Sequence, residues 1–409
     1  MLRSDGRIIV GFKEPGEPRL MEAPRRPGTK GLRATRGAVS GASIRAGPRA
    51  LEAQGVRVLD YQGNIGVAVV QVEPREIGRV VANLRNHPNV GFLEPDVRLQ
   101  VRDGQDPPDI ARRAQTQTIH WGINMVRAPQ AWNVSHGEYA SVIVIDSGHE
   151  DGHPDLFDLA DGTNCGGLDP GRCYDAMASH SSSPAHGTRM MGIITATDNS
   201  VGTVGVAPWL PLSNIFSWRS CDANNNCWVS YQNDALKYAA DRGIRVANMS
   251  LGGTEYIAST ALAVQDAWNR GVVIVAAAGN DGVERVEYPA GYDNVIGVSG
   301  VKQDGTFAGP GSCSYIAGSN YGSHIDLSAP IAAYTTFRNG GYVERCSTST
   351  ATAYVSGAAV LVASANPSWT NSQIVQQLFN TANRSKIVGL GRDYKYGHGT
   401  VDVGRALGR

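Results

Sequence analysis

The chain has 409 residues, 42% of them apolar and 18% charged, with 49 glycines and no net charge at neutral pH. That length allows two domains or one large domain with an appendage. The charge balance gives no basic excess for nucleic acid, no apolar run reaches the roughly 18 residues of a membrane span, and the composition excludes a disordered or coiled-coil chain.

In chain order, Arg7–Lys13 (RIIVGFK) reads as an apolar strand, and residues 15–47, rich in Pro, Arg, Gly and Ala without periodicity, as a disordered insert. Strands follow at Val56–Tyr61 and Ile65–Val72, then a helix near Arg75–Asn86 and a strand near Val90–Leu93. Ile77, Val80, Val81 and Leu84 fall on one face of that helix. The pattern predicts a small α+β domain over residues 1–102, a polar, Pro-containing linker over 103–113, and a second domain over 114–409. Residues 1–113 carry 19 basic and 13 acidic side chains and the remainder 18 and 24. That opposition either draws the two segments together or reflects a solvated Arg-rich stretch.

Beyond Ala114, short β-branched runs at Ser141–Ile145, Arg245–Met249 and Val272–Ala277 alternate with helical patterns at Ala235–Asp241 and Ala258–Arg270. This alternation predicts an α/β fold, a parallel sheet with helices on both faces. Such sheets bind ligands at the carboxyl ends of their strands, so the polar residues there are the candidates. Asp146 directly follows SVIVI, His186 opens HGTRMMG, and Ser349 lies in STSTATAYVSGAA. A serine hydroxyl becomes a nucleophile when an imidazole takes its proton, and a carboxylate fixes the imidazole tautomer. Asp, His and Ser together therefore suit acyl transfer. A second HGT at His398–Thr400 shows that the tripeptide alone is weak.

Six cysteines, Cys165, Cys173, Cys221, Cys227, Cys313 and Cys346, all lie in the acidic segment without zinc-type spacing. They read as up to three disulfides, with 165–173, 221–227 and 313–346 the expected pairs and other connectivities open. Disulfides imply an oxidising compartment. The opening MLRSDGRIIVGFKEP has no apolar signal-peptide core, which leaves either secretion by a signal outside this sequence, the expectation favoured here, or an unusual intracellular protein with disulfides.

Asp146-Ser147-Gly148, His186-Gly187-Thr188 and Thr348-Ser349 closely resemble the motifs of the subtilisin-like serine proteases, the subtilases. So do His153-Pro154-Asp155-Leu156, Gly205-Val206-Ala207-Pro208, Asn248–Gly253 (NMSLGG), Ala276–Asn280 (AAAGN) and Tyr288-Pro289-Ala290. The resemblance spans nearly the whole chain, and it selects His186, which lies between the Asp and Ser motifs. It implies a serine endopeptidase acting on protein or peptide substrates, with Ser349 as nucleophile, His186 as general base and then acid, Asp146 as orienting carboxylate and Asn280 as oxyanion donor. Ser250, Leu251 and Gly252 would pair with an extended substrate backbone, alongside Gly279.

The same resemblance makes residues 1–102 a ferredoxin-like propeptide that chaperones folding and inhibits, ending near Asn89–Asp96. Self-cleavage would then follow Arg102, or Arg113 in a second alignment. Glu287 would lie at the base of the specificity pocket and Asp281 near its rim, which suits an incoming guanidinium; the competing reading has Glu287 turned outward or paired with Arg285. The family's tight calcium loop maps onto Asp155 and Asn199, backbone oxygens of Thr197, Val201 and Thr203, and Gln117 or Gln115. The chain is expected to be a monomer that binds neither nucleic acid nor membrane. Departures from the family pattern are Ser347 for Gly, Arg189 after HGT, and Ala353-Tyr354 for Pro-His. A looser start to the helix carrying Ser349 would leave room for a peptide ligase or cyclase, or for a catalytically silent fold.

Overall fold

The computed structural model describes residues 6–13, 51, 56–101, 116–150, 152–156, 185–221, 226–389 and 391–409. The insert at 15–47, the linker at 103–113, and Cys165, Cys173, Arg102, Arg113 and Gln115 lie outside them.

The amino-terminal unit is a four-stranded antiparallel sheet of β1 (Arg7–Phe12), β2 (Arg57–Gln62), β3 (Val67–Gln71) and β4 (Val90–Pro95), in the order β2-β3-β1-β4, with α1 (Ile77–Asn86) before β4. Side chains alternate across a strand, and here both faces are buried. Ile8, Val10, Ala68 and Val70 pack on Val80, Val81 and Leu84 of α1. Ile9, Val67 and Val69 face the other way, into the larger unit. Two-sided burial explains why RIIVGF reads as a continuous apolar run instead of alternating. A further short strand, β5 (Arg98–Gln100), leaves this unit.

The larger unit begins with β6 (Val142–Asp146), α2 (His186–Thr195), β7 (Ile215–Arg219), β8 (Asn226–Trp228), α3 (Val229–Arg242) and β9 (Val246–Met249). It continues through α4 (Ala258–Asn269), β10 (Val273–Ala277), β11 (Val295–Val301), β12 (Leu327–Pro330), a hairpin of β13 (Ala332–Phe337) and β14 (Gly341–Cys346), α5 (Thr348–Ala365) and α6 (Asn371–Thr381). Six strands form one parallel sheet, ordered β12-β11-β10-β9-β6-β7. Three of these, β7, β11 and β12, went unpredicted because Ser, Gly or Pro interrupts their apolar runs. The helix foreseen at 235–241 extends over Val229–Arg242.

The central helix α5 packs across β9 to β12 and is buried from Thr348 to Ser364. Its Ala, Gly and Ser residues allow that close approach: a Cβ on Gly357 would sit 2.6 Å from Val206 Cβ. From β6 the chain passes to β7 on one side and then to β9 on the other, so the topology reverses at β6. Clefts in open α/β sheets form at the carboxyl ends of strands at such a reversal.

The amino-terminal unit docks on α3 and α4 through their first turns, where backbone N–H groups lack intrahelical acceptors. Asp96 accepts from Ser230 N at 3.1 Å and Ser230 Oγ at 2.8 Å. Glu94 accepts from Ala258 N and Ser259 N, both at 2.9 Å. Burial raises the Glu94 carboxyl above its ordinary value, against the lowering effect of Ser259 and Ala258. Arg7 pairs with Asp96 at 2.8 Å, its side chain 15% exposed and that of Asp96 fully buried. Asn64 Nδ2 donates to Asp266 at 2.7 Å, and Gln62 donates to Asp234. Replacing Asp96 by Ala strands the Arg7 guanidinium and uncaps α3, which should cost roughly 3–5 kcal/mol, as for other broken buried pairs. Urea unfolding of the full chain measures this; a loss below about 1 kcal/mol, the value of an exposed pair, would mean Asp96 does not hold the units together.

Candidate active site

Asp146 ends β6, His186 opens α2 and Ser349 is the second residue of α5, so three separate elements converge at the reversal point. All three side chains are buried, at 0%, 0% and 2% exposure. His186 Nδ1 lies 2.8 and 2.9 Å from the two carboxylate oxygens of Asp146. A carboxylate can only accept, so Nδ1 carries the proton and Nε2 is left as the basic nitrogen. Asp146 Oδ1 also accepts from Ser147 N at 2.7 Å, which fixes the carboxylate plane. Gly187 lets the helix start this close: a Cβ there would fall 1.9 Å from Gly148 O.

Ser349 sits where a helix presents unfilled N–H groups. Its Oγ donates to Ser250 O at 3.3 Å, and Ser250 Oγ donates back to Ser349 O at 3.2 Å. Asn248 Nδ2 donates to Ser250 Oγ at 3.0 Å, and Ser356 Oγ to Asn248 Oδ1 at 2.9 Å. This buried chain ties the end of β9 to α5 at Ser349 and again at Ser356. Asn280 follows β10; its Oδ1 accepts from Thr348 N and Thr348 Oγ1, both at 2.9 Å. With the amide oxygen held there, the Asn280 NH₂ group must face the opposite way, as an oxyanion donor requires.

The departures at the serine do not disturb this frame. Ser347 is extended (φ −172°, ψ 169°), a conformation open to any residue, and its Oγ caps α5 by accepting from Thr350 N at 3.3 Å. Helix α5 runs unbroken through Ala353, and Tyr354 Oη donates to Ala332 O at 3.2 Å. Arg189 is buried in α2 at 2% exposure.

A groove adjoins the site. Its outer wall is β8, which pairs antiparallel with β5: Arg98 opposite Trp228, Leu99 opposite Cys227, Gln100 opposite Asn226. On the other side are Ser250, Leu251 and Gly252, and Gly253, which exchanges backbone hydrogen bonds with Tyr288 at 2.9 and 2.8 Å. Leu99 Cδ2 comes within 2.9 Å of where a Gly253 Cβ would be. The segment 98–100 thus lies as an added strand, and nothing in the sequence had marked β8 as its partner. The rings and guanidinium groups of Arg7, Trp228 and Arg98 stack beside it, the two guanidinium carbons 4.6 and 4.0 Å from the Trp228 ring.

Glu287 is 2% exposed and lies behind the groove between two glycines. A Cβ on Gly279, whose φ is +103°, would meet Glu287 Cδ at 2.6 Å, and one on Gly252 would lie 3.5 Å from Glu287 Oε2. The carboxylate is turned inward, and it accepts from Arg285 Nη2 at 2.7 Å and Asn320 Nδ2 at 3.2 Å. Arg285 also pairs with Asp281. The Glu287 hydrogen bond raises the Arg285 guanidinium above its ordinary value, against the lowering effect of burial. Asn320, 33 residues from Glu287, carries no motif and was not foreseen.

Two disulfides are formed among the described residues, Cys221–Cys227 and Cys313–Cys346. No three His, Cys, Asp or Glu side chains gather as a metal site among them. An oxygen-only calcium loop does not require such a cluster. Asp155 is fully buried; Oδ2 accepts from Thr203 N at 2.9 Å, and Oδ1 has no well-formed hydrogen bond, with Asn199 and Tyr342 beside it. Burial raises the Asp155 carboxyl against the lowering effect of those neighbours. Asn199 Oδ1 accepts from Val201 N at 2.9 Å, and Gln117 Oε1 from Asn199 N and Ser200 N at 2.9 and 2.8 Å. A buried carboxylate short of donors, on a loop offering neutral oxygens, fits a hard cation.

Comparison with known proteins adds an independent line. The subtilase family model matches residues 137–399. The chain is 34% identical over 325 residues to a thermostable alkaline protease of Halalkalibacterium halodurans, covering 79% of each protein. It is 36% identical over 289 residues to subtilisin Savinase of Lederbergia lenta, covering 70% of this chain and 98% of that one. With thermitase of Thermoactinomyces vulgaris the identity is 37% over 274 residues, 66% of this chain and 90% of that one. Among the described residues no helix is long and apolar enough to cross a membrane.

If Asn280 donates to a developing oxyanion, Asn280→Leu should lower kcat by roughly 10²–10³ with little change in KM, a magnitude taken from subtilisin and not calculated for this chain. Steady-state hydrolysis of a peptide amide checks it; an unchanged kcat would remove Asn280 from the reaction.

Proposed function

The chain belongs to the subtilase family and is a serine endopeptidase of the subtilisin type, and from that premise we propose that it is a secreted, calcium-stabilised monomer made as a self-processing zymogen with a preference for Arg or Lys before the cut. The catalytic part of this reading rests on the Asp146–His186 contact at 2.8 Å beside the start of α5.

In this reading Ser349 Oγ attacks the scissile carbonyl while His186 Nε2 takes its proton. Asp146 holds the Nδ1–H and stabilises the imidazolium that forms. The negative charge moving onto the carbonyl oxygen meets the Asn280 NH₂ and the Ser349 backbone N–H at the helix N-terminus. His186 returns its proton to the leaving amine, and an acyl-enzyme remains on Ser349. Water then repeats the sequence in reverse roles, and the carboxylic acid leaves.

Strand addition of residues 98–100 along β8 supports the propeptide reading. The chain entering the groove as a substrate would is its own, and the next residues are Val101 and Arg102. Leu99 lies against Gly253, and cleavage after Arg102 would suit a pocket that selects a basic residue; cleavage after Arg113 remains the alternative. After the cut, residues 1–102 stay docked on α3 and α4 as an inhibitor. Calcium, when bound, would be held by Asp155, Asn199 and Gln117 with backbone oxygens of Thr197, Val201 and Thr203, and it would neutralise the Asp155 carboxylate.

Incubating wild type and Ser349→Ala with calcium, then reading new amino termini by mass spectrometry, tests the zymogen reading. A new terminus at Asp103 or Ala114, absent in the alanine variant, is expected; an apolar residue before the cut would sink the basic preference. For the metal, calcium at about 100 times its dissociation constant should stabilise the Ser349→Ala chain by roughly 2.7 kcal/mol. Asp155→Asn should erase that gain, as read by thermal unfolding with and without chelator.

A further inference from the structure

The carboxylate of Glu287 is not bare. A side chain that is 2% exposed cannot hold a negative charge cheaply without a counter-charge, and the structure supplies one from the same loop. Arg285 reaches Glu287 Oε1 at 2.7 Å and Asp281 with the same Nη2 nitrogen. Its side chain is 37% exposed, as is 39% of Asp281, so one guanidinium spans a buried carboxylate and an exposed one. The loop backbone is strapped down: Arg285 N donates to Tyr321 O at 3.2 Å, Gly282 N to Gly318 O at 2.8 Å, and Tyr288 pairs with Gly253. Movement of the Arg285 side chain would take the charged partner from Glu287 and leave the Asn320 Nδ2 hydrogen bond at 3.2 Å in place.

We propose that Arg285 is a resident counter-ion of the specificity pocket, which the guanidinium or ammonium of a substrate must displace from Glu287, and which Asp281 retains when displaced. This rests on the reading of Glu287 as the carboxylate that selects a basic residue, and it adds what that reading lacks. With Arg285 in place, a neutral side chain can fill the pocket without stranding a buried charge. A basic one gains only the difference between its own pairing with Glu287 and that of Arg285. The pocket therefore accepts neutral residues and discriminates in favour of basic ones by less than an unscreened carboxylate would. Arg285 is thus a specificity-determining residue that tempers the preference.

The test uses the full chain, activated with calcium until its rate is constant, and peptide amides identical except for arginine or citrulline before the cut. Citrulline keeps the shape and removes the charge, so the ratio of the two kcat/KM values reads charge recognition alone. Arg285→Met is expected to raise that ratio about tenfold, in the range of couplings between contacting charged groups, and Arg285→Lys to raise it less. In the Glu287→Gln background, Arg285→Met should leave the ratio unchanged, because there is no carboxylate left to screen. If Glu287→Gln lowers the ratio while Arg285→Met leaves it unchanged or lowers it, the counter-ion proposal is overturned and the pocket reading stands. If Glu287→Gln has no effect in either background, the pocket reading fails and takes the proposal with it.

Discussion

Everything at the site depends on a charge kept out of water. Asp146 and His186 are both buried, and in that low-dielectric setting a carboxylate facing Nδ1 fixes the ring's tautomer far more firmly than it could at the surface. The cost of burying Asp146 is met locally, by Ser147 N and the imidazole. Strand β6 delivers the carboxylate, α2 delivers the ring, and the parallel sheet holds both against α5. If the sheet did not reverse its winding at β6, these three elements would not share one end of the molecule.

The legible strands of the parallel sheet were those whose buried runs are not broken by Gly, Ser or Pro. Val142–Asp146, Val246–Met249 and Val273–Ala277 are covered on both sides, so their apolar runs are continuous and easily read. Val295–Val301 and Leu327–Pro330 are just as buried. Their Gly, Ser and Pro residues fit close neighbours, however, and small residues carry no strand signal. The same divide runs through the site. Asp146, His186, Ser349 and Asn280 were marked as candidates by their motifs, whereas the Asp146–His186 and Asn280–Thr348 contacts are tertiary facts. Asn320 and β8 act through contacts between distant segments, with no pattern in the chain to announce them. Arg285 was visible only as a competing partner for Glu287, and the folded loop was needed to see that Asp281 shares it.

Charge separation along the sequence also acquires a physical meaning. The amino-terminal segment is basic in total, yet the groups it offers the first turns of α3 and α4 include the carboxylates of Glu94 and Asp96. Net charge is the wrong measure at this contact. The receiving surfaces are helix N-termini, whose unfilled N–H groups and positive dipole ends favour an anion whatever the surrounding total. The positive charge of Arg7 is set against the buried Asp96 carboxylate at 2.8 Å.

Trp228 lies between Arg7 and Arg98, with the two guanidinium carbons 4.6 and 4.0 Å from its ring. Both arginines belong to the amino-terminal segment, whereas the indole belongs to the wall of the groove. Trp228 is one of seven tryptophans in the chain, and among the described residues both of its stacked cations come from that segment. Departure of the segment would strip both cations from the indole at once and open it to water. A change in tryptophan emission would then report that departure without any added label.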